Sequence, residues 1–586
     1  MPMVCRGVCF IKFGLYMSIS VLRVAGRLVM LSVALMQAYA VLGQDPDYAA
    51  MAGRADVFSS GDMLGARSLI MPYASREEAL AGGRSAYVVE LDDWVRDTVA
   101  EGVRFTARFK VRYTWNNRAV LLRVENLPSS FAVEVNGNPE GYCQAGAGRT
   151  EFDITDQVHI DYNTVTVTVF RDAIAEVVES GRGHEPYGIG GAWVVSQPSV
   201  RIHDIFASTA MVGGEGILNL DVVMQSRLLN PKEYAVECEL LDAGGGTVAV
   251  ARKSFKSGML STDTVRLVMR VKSPRRWNHE TPELYTLLVS TSSEGRTQEW
   301  VPVRVGFREV GHADGGLLVD GLPVPLSAVY LDDAEQEDAV RLAELKRAGY
   351  NCLVTRAPQP DDFYSLCDSL GLYVFDGSGI DASSGPESIA VGGNPNNDPV
   401  WLDSYMERVR RVYMQSHLHP CVVAYSPVSG RPDGYCVYEG YVALKRFDAG
   451  RPVFYDGAEG QWNNDICAGK LFGPAIPRPQ ERVSTALESY GGYCSVVLSN
   501  NMSLGTVQGT YKIRLRSRRR TLSVKEGDFR IIGGGTLHIP VSLPEEGVDD
   551  GRIETELHIR REAAAGDDSR KVADMYDLIE TVHALP

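Results

Sequence analysis

The sequence predicts a multidomain β plus α/β chain: a jelly-roll sandwich, an immunoglobulin-like sandwich, a partial parallel β/α unit of about five strands, and a C-terminal β-sandwich. Three observations predict it. At 586 residues the chain is too long for one core, and roughly 150 residues per domain gives about four. Two-residue alternation dominates from about 85 to 306 and returns after about 490. Between those stretches, short apolar runs alternate with helix-length amphipathic segments, the pattern of βαβ units around a parallel sheet.

In chain order, Arg23 and Arg27 precede an apolar run from Leu28 to Met36 and then Ala38-Tyr39-Ala40. A basic region, a short apolar region and an A-x-A site are the parts of a secretory signal, expected over 1–43 with an upstream extension before Met17. The mature chain is expected to be exported, whether periplasmic, cell-surface or secreted. The run is too short to span a bilayer. From 44 to 205, Phe105–Tyr113, Val120–Val124, Ala132–Val135 and Thr164–Phe170 read as strands, with Asn136-Gly137 as a tight turn. No helix-length segment intervenes, which predicts the jelly roll. From 206 to 306, Leu218–Val223, Tyr234–Leu241 and Val265–Val271 are strands, and Gly244-Gly245-Gly246 is a turn.

From 307 to 485, strands are predicted at Pro325–Tyr330, Asn351–Thr355, Leu372–Asp376, Cys421–Ser426 and Val453–Asp456. The intervening helices are Glu335–Ala348, Asp361–Leu370, Trp401–Ser416 and Tyr435–Phe447. From 486 to 586, Ser495–Leu498, Gly509–Leu515 and Thr536–Val541 begin a third sandwich.

Hydrophobic content of 45% and charged content of 23% are those of a globular protein. A net charge of -15 excludes a general nucleic-acid binder. The basic run Arg514, Arg516, Arg518, Arg519 and Arg520 follows alternating basic and apolar residues, so it reads as a half-exposed strand. Of the ten cysteines, Cys5 and Cys9 lie in the signal segment. The rest are dispersed without zinc spacing, mostly inside apolar runs, and are expected as buried thiols. No metal or other cofactor is expected.

The domain order narrows the field, and particular residues narrow it further. Pro274 to Tyr285 reads Pro-Arg-Arg-Trp-Asn-His-Glu-Thr-Pro-Glu-Leu-Tyr, and Val305-Gly306-Phe307-Arg308 follows. Upstream are Val135-Asn136-Gly137 and Phe152-Asp153-Ile154-Thr155. Downstream are Asp320-Gly321-Leu322-Pro323-Val324, Phe363 to Asp368, Gly371-Leu372-Tyr373-Val374, and Arg451-Pro452-Val453 with Tyr455. In colinear order from about 100 to 466, these stretches resemble the β-galactosidase/β-glucuronidase/β-mannosidase group, glycoside hydrolase family 2. The resemblance implies a TIM-type barrel for the β/α unit and retaining hydrolysis of a β-linked sugar.

The chain departs from that pattern where the chemistry should be. Retaining glycosidases need two carboxyl groups about 5 Å apart, one as nucleophile and one as acid/base. The family's acid/base glutamate ends a W-S-L-G-N-E stretch; here His419-Pro420 leads to Tyr425-Ser426-Pro427-Val428-Ser429-Gly430, placing Gly430 at the glutamate. The family's V-D-E becomes Phe375-Asp376-Gly377. A complete barrel takes about 250 residues, more than Phe307 to Tyr490 offers, so the nucleophile segment reads as deleted. The expectation is a non-catalytic descendant that binds carbohydrate or serves in assembly; the alternative is an active retaining glycosidase with relocated carboxylates.

Asp376, Asp456, Trp462 and Asp465 are the candidates for a residual pocket, with Asp433, Glu439 and Glu459 as further loop carboxylates. Glu439, four residues from Tyr435 in a helix, reads as part of a solvated face, and His417 and His419 read as structural. Trp193, Trp462 and Tyr187 are candidate sugar platforms. An unclosed parallel sheet leaves its fifth strand as an edge, to be covered by residues 457–490, by the last sandwich or by a protein partner.

Overall fold

The computed structural model describes residues 46–179, 189–331, 339–381, 394–429, 433–455, 463–473, 483–490, 493–501, 507–518, 520–544, 548, 550–560 and 576–585. The signal segment predicted over 1–43 lies outside them.

The first sandwich packs a six-stranded antiparallel sheet on a four-stranded one. In Gly102–Val111, Val103, Phe105, Ala107, Phe109 and Val111 are buried while Arg104, Arg108 and Lys110 are exposed, as period-2 patterning requires. Asn136 and Gly137 both have positive φ (53° and 80°), the geometry of the two-residue hairpin that their sequence predicts. The second sandwich has three strands facing four, around Leu218, Leu220, Val236, Leu287 and Val301. The last sandwich is again three on four, around Val496, Leu498, Ile513 and Leu557. Its basic run turns a hairpin: Arg514 and Arg516 lie on a half-exposed strand, as predicted, and pair with Glu556 at 2.8 Å and Glu554 at 3.1 Å across the ladder. Arg518 is in the turn, Arg520 begins the next strand, and Arg519 lies outside the described residues.

Between the second and third sandwiches lies a parallel sheet of β1 (Ala328–Tyr330), β2 (Cys352–Val354), β3 (Tyr373–Gly377) and β4 (Val422–Ser426), in that order. Helices α1 (Ala339–Arg347), α2 (Asp361–Leu370), α3 (Leu402–Ser416) and α4 (Tyr435–Phe447) alternate with the strands. The predicted fifth strand is reduced to one parallel bridge, Tyr425 with Val453. All five residues of β4 are buried, as expected of a parallel strand covered on both faces. Helix α2 ends at Gly371 in the left-handed conformation (φ 68°), where a Cβ would lie 2.8 Å from the carbonyl oxygen of His279.

The expected open edge is closed by the chain's own residues 463–473. Asp465 N–H donates to Val453 O at 2.9 Å, and Val453 N–H donates back to the Asp465 carboxylate at 2.9 Å. The strap then buries Ile466 and Leu471. At its far end Gly473 N–H donates to Leu326 O at 3.2 Å, and Phe472 bridges to Ser327 beside β1. One short segment therefore runs from the fifth strand position to the first. Seven of the eight cysteines outside the signal segment are buried free thiols, and Cys467 in the strap is exposed.

Candidate functional site

In a parallel β/α unit the strand C-termini form the ligand face, and here Asp376 occupies that end of β3. Its carboxylate accepts from Thr355 Oγ1 at 2.9 Å and from Tyr364 OH at 2.8 Å, and it has no solvent exposure. Burial pushes its pKa up to about 6, against hydrogen bonds from Ser416, Tyr364 and Thr355 that favour the charged form. It is a fully buried carboxyl held by side chains of the surrounding frame.

Its neighbour Gly377 is packed as tightly. A Cβ there would stand 2.4 Å from Arg356 O and 2.5 Å from Thr355 O. No side chain, least of all a glutamate, fits without moving the backbone of the adjoining loop.

The sequence placed Asp465 beside Asp376 as a pocket candidate, and the structure assigns it another role. Lys445 Nζ donates to it at 2.9 Å, Tyr441 OH at 3.3 Å and Val453 N–H at 2.9 Å, with His312 at 3.8 Å. These partners fix the strap and share nothing with the Asp376 set. Gly430, Asp456, Glu459, Trp462 and Tyr187 lie outside the described residues. Trp193 is half-buried in a jelly-roll strand opposite Arg123 and Glu90. Asp433 is exposed and Glu439 half-buried on α4.

Both histidines are built into the frame. His417 shares a hydrogen bond with Ser68 Oγ at 2.9 Å and stacks on Phe206 at 4.7 Å; burial pushes its pKa down to about 3. His419 lies 2.8 Å from Asp368 and 3.3 Å from Asp361. Burial opposes its charge, but the two carboxylates outweigh it and raise the pKa to about 10. Among the described residues, no three His, Cys, Asp or Glu side chains converge as a metal site. None of their helices is long and apolar enough to cross a membrane.

What the face does present is aromatic. The Tyr330 ring, at the end of β1, stacks on Phe472 of the strap at 4.9 Å and 28°, and both residues are more than a third exposed. The Arg356 guanidinium lies 6.0 Å from the Tyr330 ring centre and 3.9 Å from the Asp381 carboxylate. Asp381 is fixed through its N–H to Val178 O, in the segment of the jelly roll that reaches this face. Sequence reading missed this group. Tyr330 had a usable signal as the last residue of a predicted barrel strand; Phe472 had none, because its position depends on the strap.

Two family models match side by side in the order the fold requires. "Glycosyl hydrolases family 2" covers residues 200–308, and "Glycosyl hydrolases family 2, TIM barrel domain" covers 339–475. Both matched regions are domains of glycoside hydrolase family 2. A β-galactosidase of Pectobacterium atrosepticum is 27% identical over 378 residues, covering 60% of this chain and 35% of that protein. One from Vibrio vulnificus is 27% identical over 357 residues, covering 57% and 33%. The chain thus spans about a third of the length of the relatives it matches.

Solved family 2 structures share the fold. A β-D-glucuronidase from Dictyoglomus thermophilum superposes with a TM-score of 0.54 at 17% identity, over 64% of this chain and 73% of that one. A Bacteroides uniformis β-glucuronidase bound covalently to cyclophellitol-6-carboxylate aziridine gives 0.54 at 12% identity, over 90% and 80%.

Proposed function

We propose that this family 2 chain is an exported, non-hydrolytic carbohydrate-binding protein that holds a glycan at the C-terminal face of its partial barrel. The observation that carries the proposal is the strap. Residues 463–473 connect the fifth strand position directly to the first, occupying the interval that strands six to eight fill in an eight-stranded barrel. Gly430 at the family's acid/base position and the closed packing at Gly377 support the same reading. The exposed Tyr330–Phe472 pair supplies an apolar face of the kind sugar rings stack on, and Arg356 with Asp381 supplies polar groups for hydroxyls.

The test has two parts, both on the purified chain. Aryl β-glycosides are expected to show no turnover, and titration with β-linked oligosaccharides is expected to show saturable binding that Phe472→Ala weakens at least tenfold. Turnover that survives purification would sink the non-hydrolytic reading and favour an active glycosidase with relocated carboxylates. Absence of binding to the whole panel would move the exposed aromatic pair to an assembly role.

A further inference from the structure

A second polar concavity lies at the opposite end of the barrel, where the immunoglobulin-like domain meets the N-terminal ends of the strands. It is a cleft of about 420 Å³ whose walls carry Arg304, Arg308 and Arg451. The three arginines are not equivalent. Arg451 is fully engaged: Nη1 donates to Tyr425 OH at 2.8 Å, Nη2 to His417 O at 2.8 Å, and Nε faces Asp448 at 3.5 Å.

Arg308 is more than nine-tenths buried, yet no carboxylate among the described residues pairs with it. Its Nε donates to Pro420 O at 2.5 Å, and its Nη2 to Val422 O at 2.9 Å and His419 O at 3.5 Å. Those carbonyls fix the guanidinium plane without neutralising it, and Nη1 donates to no group among the described residues. Burial, and then repulsion from Arg451, bring the Arg308 pKa down to about 10, so its charge is held at a cost.

Arg304 is exposed on the rim and likewise has no carboxylate partner among the described residues. Two acidic residues also line the cleft. Glu309 accepts the Met211 N–H at 2.8 Å, and Asp448 accepts the N–H groups of Gly450 at 2.9 Å and Arg451 at 3.2 Å and faces the Arg451 guanidinium at 3.5 Å. A buried guanidinium oriented by carbonyls, with a second one at the rim, is a geometry suited to a planar or tetrahedral oxyanion.

We infer that this cleft binds a small oxyanion, phosphate, sulfate or carboxylate, either free or carried on a sugar, between Arg308 and Arg304. The site is independent of the barrel mouth. The experiment is titration calorimetry on the full chain at fixed ionic strength, with inorganic phosphate, sulfate, glucuronate and uncharged glucose as probes. Saturable binding of at least one anion and none of glucose is expected.

Arg304→Gln, a surface change that leaves the melting temperature in place, should weaken that binding at least tenfold, and Arg304→Lys should recover part of it. Arg308→Gln should abolish it, although that variant also loses a clamp on three carbonyls. Binding of phosphate and sulfate alike identifies a free-oxyanion site, whereas binding of glucuronate alone identifies an acidic saccharide. Phe472→Ala should leave either result unchanged. No saturable binding by any anion, or equal binding by wild type and Arg304→Gln, overturns the inference.

Discussion

Glu140 offers a sharp test of the jelly roll's electrostatics. It sits in the strand Asn138–Cys143 with 3% of its surface exposed, and neither carboxylate oxygen has a hydrogen-bond partner. Burial, and then the charges of Asp62, Asp153 and Asp156, push its pKa from 4.5 up to about 7. Below about pH 4.5 the carboxyl is protonated whether the chain is folded or not, and its charge costs nothing. Between 4.5 and about 7 the folded chain keeps a proton that the unfolded chain has released, so stability falls as pH rises. Above about 7 the loss is complete and constant.

The size of the effect follows from leaving a carboxylate buried without partners, about 1–3 kcal/mol. Glu140→Gln keeps the shape and removes the charge. At pH 8 the variant should melt about 2–12 °C above wild type, at roughly 2–4 °C per kcal/mol for a domain of this size. At pH 4 the gap should close. Melting curves of both proteins from pH 4 to 8 check it by scanning fluorimetry. A gap that stays the same at every pH would refute the reasoning, because the benefit would then have no link to ionisation.

Other outcomes follow from the same geometry. Gly377→Glu should lower stability by about 1–3 kcal/mol through overpacking, read as a depressed melting temperature. Asp465→Ala strips the partner from Lys445 and the acceptor from Val453 N–H, so limited proteolysis should cut within the strap faster than in wild type. His419 has its pKa raised from 6.5 to about 10. Its stabilising contribution is therefore fully present below pH 6.5 and lost as pH rises through about 10. Ring-labelled NMR should show His419 still charged at pH 8.5, and His417 neutral down to pH 4.5.

The fold was readable where local pattern determines it. Helices α2 and α4 begin and end at their predicted residues, and the alternation in Gly102–Val111 gives its buried face directly. Reading failed where a residue's role depends on a distant partner. Asp465 looks like a loop carboxylate beside a tryptophan, but its partners Lys445 and Tyr441 come from the preceding helix and His312 from far upstream. Residues 457–490 were among the expected covers of the open edge, but the path of the strap within them was not readable, because its anchors, Val453 and Ser327, are more than a hundred residues apart. Gly377 could be read as a lost glutamate, but only the Arg356 carbonyl shows that the space itself is gone.

Helix α3 shows how the β/α unit is held against the jelly roll. Ser404, Arg408, Arg411 and Gln415 recur at spacings of four, three and four, so they share one face of the helix. An isolated sequence would give that polar stripe to solvent. Instead the face is buried against the jelly roll: Arg408 pairs with Glu179 at 2.8 Å and donates to Gln144 at 2.9 Å. Arg411 donates to Thr150 at 2.8 Å, and Gln415 exchanges hydrogen bonds with the backbone of Arg149. Breaking one buried pair of this kind costs about 3–5 kcal/mol, so the sandwich and the half-barrel stabilise one another. The brace reaches the strand C-terminal face, because Glu179 also bridges to Asp381 in the loop beyond β3. A chain that keeps strands one to four and straps the gap keeps this brace whole.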